Sequence, residues 1–147
     1  HLDFADESDL RALAKAGTVA VLLPGCAVTL GNLHFPDARP LIRAGLRVAL
    51  STDFNPGTSM TQDLLLMGTL AIRHMGMTVA EAWAAITCHA AAALGRGHRS
   101  GRLVPGFDGD LVVFDAVDAA EPFYDFSDPL VRTVVRRGVV CWNDPDA

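Results

Sequence analysis

The chain has 147 residues, 50% of them apolar and 20% charged, with a net charge of −5. That composition fits a soluble globular protein with one sizeable core and excludes a disordered chain. The acidic balance excludes nucleic acid and anionic membrane surfaces as expected partners, and Arg, His or Gly interrupts every apolar run before it reaches membrane-spanning length.

Cys26, Cys88 and Cys141 are scattered, with no CxxC pair. A reducing, cytoplasmic setting is expected, with each cysteine serving as a small buried apolar residue. The chain begins at His1 and runs into a loop and helix with no strand before them, which reads as a piece of a longer protein.

In chain order, Asp6-Glu7-Ser8-Asp9 caps an amphipathic segment with Leu10, Leu13 and Ala14 on one stripe, and Gly17 stops it; this predicts a short helix. Thr18 to Leu23 is apolar on both faces, as in a parallel strand covered on each side. Cys26 to Pro40 reads as a long loop, Ala38 to Ala44 as a short helix and Leu46 to Leu50 as a second buried strand. A helix from about Met60 to Met75 follows. Strand, helix and strand make a βαβ unit, which on repetition builds a doubly wound sheet or a barrel.

Thr78 and Glu81 form a capping box for a helix expected to run to about Leu94. Arg96 to Gly101 is a basic, Gly-containing linker. Beyond it lie strand candidates at Leu103-Val104, Asp110 to Asp115 and Val131 to Trp142, the last broken by a hairpin turn at Arg136-Arg137-Gly138. These strands are too few to fold alone.

Ser51-Thr52-Asp53 ends the second buried strand and leads into Asn55-Pro56-Gly57-Thr58-Ser59. In an α/β barrel, a carboxylate just past a strand's C-terminal end stands where catalysis occurs. Asp53 could there hold a divalent metal and accept a proton from water. Asn55, Gly57 and Thr58 offer an amide, a close backbone approach and a hydroxyl to a substrate. The plainer reading is a strand-to-helix connection in which Asp53 or Ser59 caps the next helix. His1 would share the rim with Asp53 if a strand ended just before it. His34 follows a strand and could approach the site, His74 fits a helix face, and His89 and His98 read as structural or solvated. No HxH, HExxH or CxxC spacing occurs, so Asp53 and His1 alone leave a metal site incomplete.

Gly17 to Gly25 (GTVAVLLPG), Ser51 to Ser59 (STDFNPGTS), Gly101 to Asp115 (GRLVPGFDGDLVVFD) and Val131 to Val140 (VRTVVRRGVV) resemble the metal-dependent amidohydrolase superfamily. The first two are narrower and resemble its imidazolonepropionase branch. The resemblance spans the whole chain but only the C-terminal part of that family's length. It implies an α/β fold: the C-terminal part of a (β/α)8 TIM-like barrel over residues 1–95, plus strands of a small composite β-sandwich over residues 96–147.

The resemblance further implies that Asp53 is a metal ligand and proton shuttle for Zn²⁺ or Fe, and that His1 polarises the attacked carbonyl. Asn55, Gly57 and Thr58 would contact the substrate, and the remaining metal ligands would lie upstream. Cys26 departs from the pattern, which has a non-thiol residue there. The implied reaction is hydrolysis of the cyclic amide 4-imidazolone-5-propanoate, a small-molecule substrate, to N-formimidoyl-L-glutamate. The assembly is left open, with a homodimer as one option, and the cysteine pattern predicts a cytoplasmic enzyme. Another amidohydrolase, such as a formimidoylglutamate or nucleobase deaminase, is the alternative. From other classes come a non-catalytic remnant, which would expose apolar faces, and a small regulatory binding module. The 147 residues by themselves are expected to be inactive and metal-free.

Overall fold

The computed structural model describes residues 1–31, 34–125 and 130–145. The first unit is built on two parallel strands and the helices that cover them. α1 (Glu7–Lys15) is closed by a capping box: the Asp6 carboxylate accepts from the Ser8 and Asp9 amides, and the Asp9 side chain accepts from the Asp6 amide. The Ser8 hydroxyl and these amides hold the Asp6 carboxyl below the usual carboxylate range.

β1 (Val19–Leu22) gives way at once to α2 (Pro24–Thr29). This corrects the expected loop over Cys26 to Pro40. Pro24 stands in the first helical turn, where its missing N–H costs nothing, so Pro-Gly opens a helix here instead of only ending the strand. α3 (Ala38–Arg43) is capped by Asp37, whose side chain accepts from the Arg39 amide, and leads to β2 (Arg47–Leu50). β1 and β2 pair in parallel from Val19↔Arg47 to Leu22↔Leu50, and the Ser51 amide extends the ladder to the Leu22 carbonyl at 3.1 Å.

α4 (Leu64–His74) starts four residues later than the sequence suggested, because the Asp63 carboxylate caps it through the Leu66 amide. The expected helix over Thr78 to Leu94 is two helices, α5 (Val79–Ile86) and α6 (Cys88–Ala93). They break at Thr87 (φ −121°, ψ −93°), whose hydroxyl bonds back to the Trp83 carbonyl at 2.6 Å. Gly101 passes against this break, where a Cβ would lie 2.9 Å from the Thr87 carbonyl oxygen and the Cys88 Cα. A side chain at 101 would push the strand-bearing segment off the helices.

Leu22, Val48, Met67 and Met75 are fully buried between the two strands and α4. Burying each such side chain contributes about 1.5–3 kcal/mol, so this layer is what holds β1 and β2 in place.

The second unit is a separate sheet. β3 (Leu111–Phe114) begins it, and α7 (Glu121–Tyr124) follows as a helical turn that the sequence did not reveal. β4 (Val131–Arg136) and β5 (Val139–Asn143) complete an antiparallel sheet in the order β3-β4-β5. The β4–β5 hairpin turns on Arg137 and Gly138, both left-handed at φ 51° and 78°, as a two-residue hairpin requires. Leu103-Val104 is not a strand. Gly101 and Gly106, at φ 85° and 89°, fold that stretch into turns and leave both residues exposed.

An aromatic group joins the units. Trp83 of α5 lies 4.6 Å from the Phe123 ring and 5.6 Å from the Phe114 ring, and its indole N–H donates to the Ala119 carbonyl at 2.7 Å. The Thr69 hydroxyl of α4 donates to the Phe123 carbonyl at 2.7 Å. Among the described residues no helix is long and apolar enough to cross a membrane.

Candidate metal-binding active site

The site forms where β1 and β2 end side by side. Because Leu22 pairs with Leu50, residues three and four places beyond these partners meet above the same edge of the sheet. Cys26 stands four residues past Leu22 and Asp53 three past Leu50. The Cys26 thiol donates to Asp53 Oδ2 at 3.6 Å. His1 reaches the same place, and one ligand atom from each of His1, Cys26 and Asp53 lies within 4.8 Å of the others. Cys26 is buried, Asp53 half-buried and His1 exposed.

Asp53 itself sits in the left-handed region at φ 49°, which Asp tolerates better than most side chains. Backbone conformations of this kind persist where surrounding structure fixes them. Here the loop supplies that support. The Ser51 hydroxyl accepts from the Asp53 amide at 3.3 Å, and Asn55 Nδ2 donates to the Asp53 carbonyl at 2.6 Å. Asn55 Oδ1 accepts the Gly57 and Thr58 amides, each at 2.8 Å, and Nδ2 also donates to Thr58 Oγ1 at 2.9 Å. Asn55 is thus the brace of the turn that follows Asp53.

Ser59 closes the loop. It bridges back to Asn55, and its fully buried hydroxyl donates to the Thr52 carbonyl. Gly25 makes room for it, since a Cβ there would lie 2.9 Å from Ser59 Oγ and 3.2 Å from the Met67 sulfur. The next helix is capped by Asp63, so neither Asp53 nor Ser59 is spent as a helix cap.

The other histidines lie elsewhere. His34 stacks on Phe4 with centroids 6.0 Å apart, and His74 stacks on Phe35 at 4.6 Å. His89 Nδ1 lies 2.9 Å from the Val48 carbonyl, tying α6 to β2. His98 is in the turn between α6 and the second sheet.

Cys26 joins the His1–Asp53 cluster, where the sequence alone predicts only a small apolar residue. The signal was its offset from the end of β1, which matches that of Asp53 from the end of β2. Cys88 is half-buried, bonded to the Ala84 carbonyl, and Cys141 is exposed, so burial describes Cys26 alone of the three cysteines. The thiol and carboxylate, even without the imidazole beside them, suit a borderline ion such as Zn²⁺, which takes both donor types, better than a hard ion that demands oxygen.

The model of the amidohydrolase family matches residues 1–141. The chain belongs to the amidohydrolase family. Among curated relatives, it is 46% identical over 144 residues to an imidazolonepropionase of Geobacillus kaustophilus, covering 98% of this chain and 34% of that protein. It is 41% identical over 138 residues to an imidazolonepropionase of Bacillus velezensis, covering 94% of this chain and 33% of that protein. The amidohydrolase chain therefore spans about a third of the length of the curated relatives it matches.

Solved structures agree in fold. An adenosine deaminase from Xanthomonas campestris with bound Zn superposes with a TM-score of 0.85 at 23% identity, over 95% of this chain and 35% of that one. A triazine hydrolase variant gives 0.84 at 22% identity, over 97% of this chain and 35% of that one. The fold is α/β: β1, β2 and their helices form part of an amidohydrolase (β/α)8 barrel, and β3 to β5 form the adjoining small sheet.

Proposed function

We propose that this chain forms part of an imidazolonepropionase that hydrolyses the cyclic amide 4-imidazolone-5-propanoate to N-formimidoyl-L-glutamate. The observation that carries the reading is the approach of His1 and Asp53 within 4.8 Å at the C-terminal end of paired parallel strands. Barrel enzymes place their chemistry on that rim. The name of the reaction comes from the relatives at 41% and 46% identity.

Asp53 would hold a divalent ion, with Zn²⁺ or Fe as the candidates. Such an ion activates water and polarises a carbonyl. Asp53 takes the proton of the attacking water at a carboxylate oxygen and returns it to the departing ring nitrogen. His1 places its imidazole N–H against the oxygen of the ring carbonyl, where negative charge develops. The new bond joins the water oxygen to the carbonyl carbon, and the ring C–N bond breaks. By the family resemblance, Asn55 and Gly57 would contact the formimidoylglutamate product and Thr58 the imidazolone propionate; their turn follows Asp53 directly. We also propose that residues 1–95 and 96–147 divide the chain into barrel and sandwich portions, a division that their two separate sheets support.

Deamination is the second reading. The adenosine deaminase above, and a guanine deaminase of E. coli at a TM-score of 0.79 and 16% identity, have the same fold. The higher identity to imidazolonepropionases favours ring hydrolysis.

The test is the loss of absorbance of imidazolone propionate with the full-length protein and its Asp53→Asn variant. Turnover in the first, reduced by on the order of 10²- to 10⁴-fold or more in the second, is expected. Metal binding with no turnover of this substrate would move the assignment to deamination. Full activity in Asp53→Asn would overturn the site.

A further inference from the structure

We propose that Cys26 is a thiolate ligand of the same metal ion as Asp53. The inference rests on the reading of Asp53 as a metal ligand and adds to it a sulfur donor that the family pattern does not place there. Three observations converge on it. The Cys26 sulfur is already directed at Asp53 Oδ2, 3.6 Å away. That separation is of the size found between two donors that share one ion at bond lengths of about 2.0–2.3 Å. Cys26 is also buried, at 7% exposure, so the sulfur is held by its surroundings instead of sampling solvent.

The third observation is the backbone that fixes Cys26. It lies in the first turn of α2, set by Pro24 and by Gly25, whose lack of a side chain lets the turn press on Ser59 and Met67. Ser59 in turn anchors the Asp53 loop through the Thr52 carbonyl. Movement of Cys26 away from Asp53 therefore has to disturb packing on both loops. His1 is exposed and stays free to face the substrate carbonyl, so the two buried or half-buried donors hold the ion while the exposed one serves the reaction.

Coordination forms a metal–sulfur bond and releases the thiol proton to solvent. Thiolate is a soft donor and raises preference for Zn²⁺ over hard ions such as Mg²⁺, Ca²⁺ and Mn²⁺ that favour oxygen.

The test uses the full-length protein loaded with Co²⁺ as a spectroscopic stand-in, beside Cys26→Ser, Cys26→Thr and Asp53→Asn variants checked for folding by circular dichroism. The wild type should show a near-ultraviolet sulfur-to-cobalt charge-transfer band. In a folded Cys26 variant that band should vanish while Co²⁺ still binds, and Zn²⁺ affinity should fall on the order of 10- to 100-fold. Visible cobalt bands without the charge-transfer band in the wild type would overturn sulfur ligation and leave the Asp53 reading intact. Unchanged metal binding in Asp53→Asn would overturn that underlying reading instead. Should every Cys26 variant fail to fold, X-ray absorption of the Zn²⁺-loaded wild type decides. A sulfur at about 2.3 Å supports the proposal, and a shell of only nitrogen and oxygen at about 2.0–2.2 Å overturns it.

Discussion

The Cys26 sulfur lies 3.6 Å from Asp53 Oδ2, although 27 residues separate the two in the chain. The parallel register of β1 and β2 brings them together, since each follows its strand by a nearly equal number of residues. The contact is a property of the strand pairing, and changes that shift β2 against β1 would break it.

His1 is expected to act on the reaction and not on the ion. His1→Ala in the full-length protein should lower kcat by on the order of 10²- to 10⁴-fold. Bound metal, measured by atomic emission, should stay at the wild-type stoichiometry. Loss of metal together with activity would make His1 a ligand.

Asn55 holds the turn after Asp53 by accepting two amides and donating to Thr58 and to the Asp53 carbonyl. Asn55→Ala removes all of these at once and lets the carboxylate drift. Misplacement of about 1 Å costs on the order of 100-fold in rate. A fall of that size in kcat/KM is expected, with the far-ultraviolet circular dichroism unchanged. Wild-type kinetics in the variant would assign the turn's shape to Pro56 and Ser59 instead.

Gly68 sits in the middle of α4, where glycine is a poor helix residue, because Phe123 of α7 packs on its bare Cα. A Cβ there would lie 2.2 Å from Phe123 Cε1. Gly68→Ala should destabilise the protein by about 1–3 kcal/mol in urea unfolding, in spite of alanine's better helix propensity. Combining it with Phe123→Leu should recover part of the loss, giving a non-zero coupling between the two sites.

Glu81 pairs with Arg39, joining α5 to α3, and also accepts from the Thr78 amide at 2.8 Å. The Arg39 guanidinium, with help from Thr78, holds the Glu81 carboxyl below its ordinary value of 4.5. A carboxyl whose folded-state pKa is depressed contributes stability that is complete above its unfolded value and is lost as pH falls through the folded one. Urea midpoints should therefore fall as pH drops below about 4.5. Glu81→Gln should be less stable at pH 7 and show a shallower acid slope over that window. An unchanged slope would place the acid sensitivity in other carboxylates.

Much of this protein is legible in the sequence because it depends on local physics. Continuous apolar runs at Thr18 to Leu23 and Leu46 to Leu50 have to be buried on both faces, which places them in a parallel sheet. Thr78 and Glu81 start a helix because the two side chains satisfy each other's backbone amides, and the structure forms that capping box. Asp53 stands out because a carboxylate immediately past a buried strand is where an α/β barrel places its chemistry, although a helix cap accounts for one there equally well until the structure gives that role to Asp63. The tertiary structure decided what depends on neighbours distant in the chain. The helix expected through Leu94 breaks at Thr87, against which Gly101 packs; Leu103 and Val104 turn instead of pairing; α7 forms where Phe123 meets Trp83 and Gly68. Above all, Cys26 becomes a donor beside Asp53 only once β1 and β2 are in register, because spacing within one segment carries no information about where another strand ends.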